Sequence, residues 1–197
     1  MHAAIRPELI LEAATDDALF ADVATLLARA IGARSGVLHW QGVQEGCEEA
    51  SYSGHFSNEH MAAFSDHFSD DDLWACAISS PHAADRLWNC DDLVTPHTYA
   101  MSRIYNEWIR PMGDDTFHCL GGVLRLGSVT AKLGFHRGRS QGPFDADDVA
   151  VLSSYLGQIR QLVLIRGKLA AAARRESELT AAQDAIGYGL LTLALDG

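Results

Sequence analysis

The sequence has no long apolar run, no paired cysteines and no surplus of basic charge, and each lack removes a class of protein. Its longest apolar stretches are broken by charge or glycine well short of the roughly 20 residues that span a bilayer, so no membrane segment is expected. Asp16 and Asp17 stand where a secretory leader would keep its small-residue cleavage region, and export is not expected either. Cys47, Cys76, Cys90 and Cys119 lie far apart without a CxxC pair, which is neither a zinc-ribbon pattern nor a disulfide scaffold. A cytoplasmic location fits that usage. The net charge of −11 repels a phosphate backbone, so these residues alone are not expected to bind DNA. Nothing resembles GxSxG or a phosphate cradle; Ser79, Ser80 and His82, or Cys90 and His97, make a nucleophile and base on paper only, and no enzyme is expected. The nine histidines include no HExxH or CxxCH. His60 and His67 share a helix face but sit two turns apart, too far to hold one ion comfortably, so no metal or other cofactor is expected.

What is present is a chain of 197 residues, enough for one good-sized core and an appendage. Asp16 opens a helix in which Leu19, Val23, Leu26, Leu27 and Ala30 recur at helical spacing until Gly32. Ser35 to Gly42 and Cys47 to Gly54 read as a strand hairpin. Ser57 caps a short helix carrying Met61, Phe64 and Phe68 on one side, expected to lie on the sheet. Residues 69–94 mix acids, turn residues and isolated large apolar groups, and read as loop and short helix. Thr95 as cap, Pro96 at the first helical position and Pro111 as the stop predict a single helix of about four turns. Two strands follow, 117–126 and 129–137, joined at Gly127-Ser128 and expected at the centre of an antiparallel sheet. Gly121-Gly122 within the first predicts either a bulge or space for a close approach. Asp145 caps a long helix with Val149, Leu152, Leu156, Ile159 and Val163 along one seam. After Gly167 the helix becomes rich in alanine and charge, with little to bury.

The order of elements predicts an α+β fold, a GAF/PAS-like central antiparallel sheet flanked by helices, with a long C-terminal linker helix. Residues 1–165 form the sensing domain in this reading and 166–186 a helical linker or dimerisation segment; 187–197 are the start of a following PAS-like unit that the chain cuts short. Ligands in such folds sit between sheet and lid. Trp74, Trp88, Met101, Tyr105 and Trp108 are the expected apolar lining, with His39, Tyr52 and His118 as polar candidates. The same rings would serve equally to pack the crossover onto the sheet.

The segments "IYNEWIRPMGDDTFHCLGGVLRL" and "KLGFHRGRSQGPFDADDVAVLSSYLGQIRQ" resemble the amino-terminal, GAF-like sensor region of LuxR-type helix-turn-helix transcriptional regulators. The matching residues are Ile104 to Trp108, Arg110, Pro111, Gly113, Gly121, Gly122, His136, Arg137, Gly142 to Phe144 and Leu152. Upstream, "DDLWACAI" resembles the family's Asp-Pro-Trp step with Leu73 in place of proline. The resemblance implies a small apolar or aromatic effector, a homodimer formed through the C-terminal helix, and DNA contact only through a helix-turn-helix that these residues do not include. Two alternatives stand beside it: a ligand-free interaction or dimerisation module whose core is filled by its own side chains, and a metal, haem or redox sensor.

Overall fold

A computed structural model describes residues 5–43, 47–83 and 85–186; the strand expected within 187–197 lies outside them. The chain begins with helices α1 (Pro7–Glu12) and α2 (Asp17–Ala30). Asp16 accepts from the Leu19 amide, one of the donors a helix start leaves free. The expected hairpin forms as β1 (Ser35–Gly42) and β2 (Glu48–Tyr52). Then come α3 (Asn58–His67), capped by Ser57, and α4 (Leu73–Ile78), capped by Asp72. β3 (Leu87–Asn89) and α5 (Pro96–Ala100) lead to the long strands β4 (Thr116–Leu126) and β5 (Val129–Gly138). α6 (Ala146–Ser154) and α7 (Leu156–Ile186) close the described chain.

The strands make one antiparallel sheet in the order β2-β1-β5-β4-β3, with helices on both faces and the long helix at the C-terminal side, the α+β class expected. β5 and β4 are interior strands, joined by Gly127 at φ +69°, a backbone only glycine adopts freely. Because successive side chains point to opposite faces, the sheet builds two different layers. Beneath it, Leu38, Trp40, Leu120, Leu133 and Phe135 meet α1, α2, α6 and α7, all fully or almost fully buried. Above it, Phe117, Cys119 and Val123 meet α4, α5 and the segment after α5 in a second, aromatic cluster.

Three expectations need correction. The helix predicted from Thr95 to Arg110 is not continuous: α5 ends at Ala100, and Ile104–Ile109 form a π-helix. Ser102 Oγ donates to the Tyr99 carbonyl at 2.7 Å, and Asn106 Nδ2 donates to the carbonyls of Ala100 and Ser102 at 2.8 Å each. Side chains thus occupy the Tyr99 and Ala100 carbonyls that an α-ladder would use, and beyond Ser102, whose carbonyl still accepts from the Asn106 amide at 3.2 Å, the backbone takes the wider register. The region read as loop contains the edge strand β3, too short at three residues to show alternation. Of the two readings of Gly121-Gly122 the close approach holds, from the backbone leading into β3 and from β5, while the register shift falls between Thr116 and His118. A Cβ on Gly122 would collide with the Arg86 carbonyl oxygen, and one on Gly121 would lie 2.6 Å from that of Leu133. Finally, the helix capped by Asp145 breaks at Tyr155, whose hydroxyl accepts from the Ile5 amide at 3.0 Å, before α7 continues without interruption past residue 166.

Candidate functional site

Between the upper face of the sheet and its covering helices lies a cavity of about 500 Å³, within the range that holds small-molecule ligands. Its floor follows from strand alternation. Val37 and His39 of β1 stand beside Ala50 and Tyr52 of β2 on one side and beside Lys132, Gly134 and His136 of β5 on the other. Its roof comes from Met61 and Phe64 of α3, Trp74 and Ile78 of α4, Tyr99 of α5, and Ile104, Trp108 and Ile109 of the π-helix. Exposed Ser65, Ser69 and Lys132 also belong to the wall, so the cavity reaches solvent.

Local chemistry positions each roof residue. The Asp72 carboxylate accepts from the Trp74 and Ala75 amides at 3.0 Å, which starts α4 and directs Trp74 inward. Burial pushes the Asp72 carboxyl above its ordinary range even though both bonds favour the ionised form. Trp74 stacks on Tyr99, with ring centres 3.9 Å apart, and on His136 at 5.7 Å. Trp108 is fixed between Phe56 and Phe64 at 4.9 and 5.1 Å, and its Nε1 donates to the His60 carbonyl. Tyr52 accepts from the Phe56 amide and so holds the loop that brings Phe56 to Trp108. The wall is therefore a set of rings locked to one another.

Its polar atoms are few. His136 Nδ1 lies 2.9 Å from Ser35 Oγ, and burial pushes the imidazole down to about 4, so it is neutral at physiological pH. Burial likewise lowers His39 and raises Tyr52 and Tyr99. Burial raises the Cys119 thiol, and neighbouring Cys90 adds to the effect. Trp74 Nε1 is a buried donor with no partner among the described residues. Leaving such a donor unmet costs roughly 1–3 kcal/mol. No group of three potential metal ligands is found among the described residues.

Of the residues predicted from sequence, the fold brings Trp74, Trp108, His39 and Tyr52 together on the cavity wall. It does not bring the other four there. Met101 is 72% exposed because the break at Ser102 turns it outward. Tyr105 is buried behind the wall between Tyr99 and Phe117, at 5.3 and 5.2 Å. Trp88 donates to the Ala83 carbonyl under the Arg86 guanidinium, and His118 pairs with Asp91 at 2.7 Å. Lining residues outside the predicted set include Tyr99, Phe56 and the β5 series Lys132, Gly134 and His136. The period-two spacing of that series, on a strand predicted to be central, was the available signal.

No protein-family model matches the sequence, and no curated protein matches it. Solved structures do resemble it. The ligand-binding domain of VqsR from Pseudomonas aeruginosa shares the fold with a TM-score of 0.57 at 14% identity, covering 80% of this chain and 91% of that one. CepR2 from Burkholderia cenocepacia, an N-acylhomoserine-lactone-dependent LuxR-family transcription factor, gives 0.49 at 16% identity over 84% of this chain and 93% of its own. SdiA, solved with octanoyl-rac-glycerol, gives 0.45 at 13% identity over 84% and 61% respectively. What this chain shares with the VqsR ligand-binding domain is the fold.

Proposed function

We propose that the chain is a small-molecule sensing domain of a LuxR-type transcriptional regulator, with a small apolar or aromatic effector held between sheet and roof. The observation that carries this reading is the cavity of about 500 Å³ walled by interlocked aromatic rings. The fold shared with the VqsR ligand-binding domain supports it, and the cavity weighs against the alternative of a core filled by its own side chains. Trp74, Trp108, Tyr99, His39, Tyr52 and His136 are the binding residues in this reading. DNA contact is assigned to a helix-turn-helix separate from the sensing fold.

The relay runs through β2. Ala50 and Tyr52 face the cavity, whereas Glu49, immediately before Ala50, faces the opposite layer, where it accepts from Trp40 Nε1 at 3.2 Å and pairs with Arg166 of α7. Arg166 also pairs with Asp17 and donates to the Ala13 carbonyl, so a shift of β2 reaches α7 and the start of α2 together. Farther along α7, Leu169 and Leu179 are presented to solvent, and every position from 172 to 184 is exposed. Homodimerisation along that helix is the output, because a ligand acts only through its differential affinity for two arrangements.

The test is titration with N-phenyl-1-naphthylamine, an uncharged aromatic probe whose emission rises in apolar surroundings. Saturable binding to the wild-type chain is expected, weakened at least tenfold in Ala75→Phe, where a ring enters the cavity. Absence of saturable binding to the wild type defeats the sensing reading. Sedimentation tests the dimer: Leu169→Glu with Leu179→Glu gives a monomer where the wild type associates.

A further inference from the structure

Two thiols meet at the β3 edge of the sheet, a juxtaposition on which the sensing reading does not depend. β3 pairs with β4 through Leu87 with Gly122, Trp88 with Gly121 and Asn89 with Leu120. One step farther along that register Cys90 stands opposite Cys119, and directly opposed residues share a face with their Cβ atoms about 5 Å apart. The face is the upper one: both cysteines belong to the aromatic cluster, and the helical turn Cys90–Asp92 packs on β4. Both are free thiols, 0% and 2% exposed. Cys119 also borders the cavity, so a small molecule inside it meets that sulfur without crossing the packed layer.

The two thiols touch each other. Cys90 hydrogen-bonds the Cys119 thiol, and its own S–H donates to the Trp88 carbonyl at 3.8 Å. Burial, with Cys90 adding to it, holds the proton on Cys119. Alkylating agents and peroxides attack a thiolate, which this setting withholds. Zinc asks for roughly four donors, and no group of three potential metal ligands is found among the described residues. Mercury(II) sets two sulfurs on opposite sides of the ion, farther apart than thiols in contact. Trivalent arsenic is pyramidal, takes two adjacent sulfurs and leaves no charge behind.

We infer that Cys90 and Cys119 form a dithiol site for an uncharged trivalent organoarsenical, R–As(OH)2, which enters by way of the cavity. Each sulfur forms a bond to arsenic as an As–O bond breaks, and the thiol proton leaves with the hydroxyl. Two waters are released, and nothing is oxidised or reduced. Thiols, reagent and product are all neutral, so no charge is desolvated in either end state. Once arsenic is bonded to Cys119, the Cys90 sulfur is already beside it and the second bond closes within the molecule. The bridge joins the two ends of the segment that carries α5 and the π-helix, which supplies Tyr99 and Trp108 to the roof.

The experiment adds phenylarsine oxide, which hydrates to the phenyl member of this class, to the reduced wild-type chain freed of small thiols. Intact-mass spectrometry is expected to show one phenylarsenic group per chain in place of two hydrogens. Digestion without reductant is expected to recover the Cys90 and Cys119 peptides joined through it, and 2,3-dimercaptopropanol to release them. Cys90→Ser and Cys119→Ser each lower the affinity at least about a hundredfold, because a single thiol lacks the intramolecular second bond. The peptide map needs no variant, so a serine that unfolds the chain leaves the test intact. 4-Carboxyphenylarsine oxide, the same arsenic group with a negative charge, is expected to react at least about tenfold more slowly, since its carboxylate has to enter an apolar cavity beside Asp72. Arsenic mapped to Cys47 or Cys76, arsenic held by one thiol alone, absence of a stable adduct, or equal rates for the two arsenicals overturns the inference. Naphthylamine titration tests the sensing reading separately.

Discussion

The two faces of the sheet are built from alternate residues of the same strands, yet they solve packing differently. Below, Leu38 and Leu133 of the sheet mesh with Leu152, Ile159 and Val163 of α6 and α7, all at most 1% exposed, and the rings the sheet adds here, Trp40 and Phe135, are packed singly among aliphatic groups. Above, the large groups are Trp74, Tyr99, Tyr105, Trp108 and Phe117. Flat rings stack on one another instead of meshing with the strand surface, and the space they leave against the floor is the cavity. Polar side chains separate the faces further: His39, Tyr52, His136 and Asp72 border the cavity. The lower layer keeps Asp148 buried against Arg137, whose guanidinium also bonds the carbonyls of Ile31 and Pro143 and lies over the Phe144 ring. Lower residues hold the fold, and upper residues leave it incomplete.

The sharpest contrast is expected from truncation. Leu152→Ala, in the filled layer, costs about 3–5 kcal/mol of unfolding free energy, whereas Ile78→Ala, bordering space already empty, costs about 1–2 kcal/mol. Urea denaturation of the two variants measures both, and equal losses would erase the distinction between the faces. Next in size is a pH effect confined to the upper face. His136 is neutral in the fold and titrates near 4, depressed from an ordinary value of 6.5 by burial and by nearby His55, with Asp114 opposing. The unfolded chain takes up its proton first as pH falls. Stability from this group is therefore complete above pH 6.5 and declines toward pH 4 by about 3 kcal/mol at most. His136→Leu flattens that part of the stability profile.

The smallest effect concerns helix caps. Asp16→Ala, at the start of α2, and Ser57→Ala, at the start of α3, each remove a side-chain acceptor worth about 1 kcal/mol. Because α2 buries six residues and α3 none, the first loss appears in the global melting temperature. The second appears mainly as faster local hydrogen exchange in α3. A global loss from Ser57→Ala of the same size would show that the roof is as tightly coupled as the floor.

Much of the lower layer was readable from sequence because its signals are local and periodic. The spacing of Leu19, Val23 and Leu27, the β-rich runs that became β1, β4 and β5, and the Asp145 cap each act within one element. The upper layer depends on contacts between elements. Trp74 and Trp88 look alike in sequence, each an indole in a polar stretch. Only the fold reveals that one faces the cavity with its N–H unmet while the other is tied to the Ala83 carbonyl five residues back. Met101 and Tyr105 share a face on an ideal helix, and two side chains, the Ser102 hydroxyl and the Asn106 amide, break the ladder between them. Aromatic residues around a central sheet were legible. Which of them would meet across the crossover was set by pairing that no local window contains.

One strand carries a further consequence. His136 and Arg137 are successive residues of β5, the first under the cavity and the second clasping the end of α2 and the start of α6 from the other side. The partition between the cavity and this structural joint is a single backbone thick. Any displacement of the floor at His136 is therefore a displacement of the clasp at Arg137, one residue's rise away, so the two layers share a diaphragm rather than a lever.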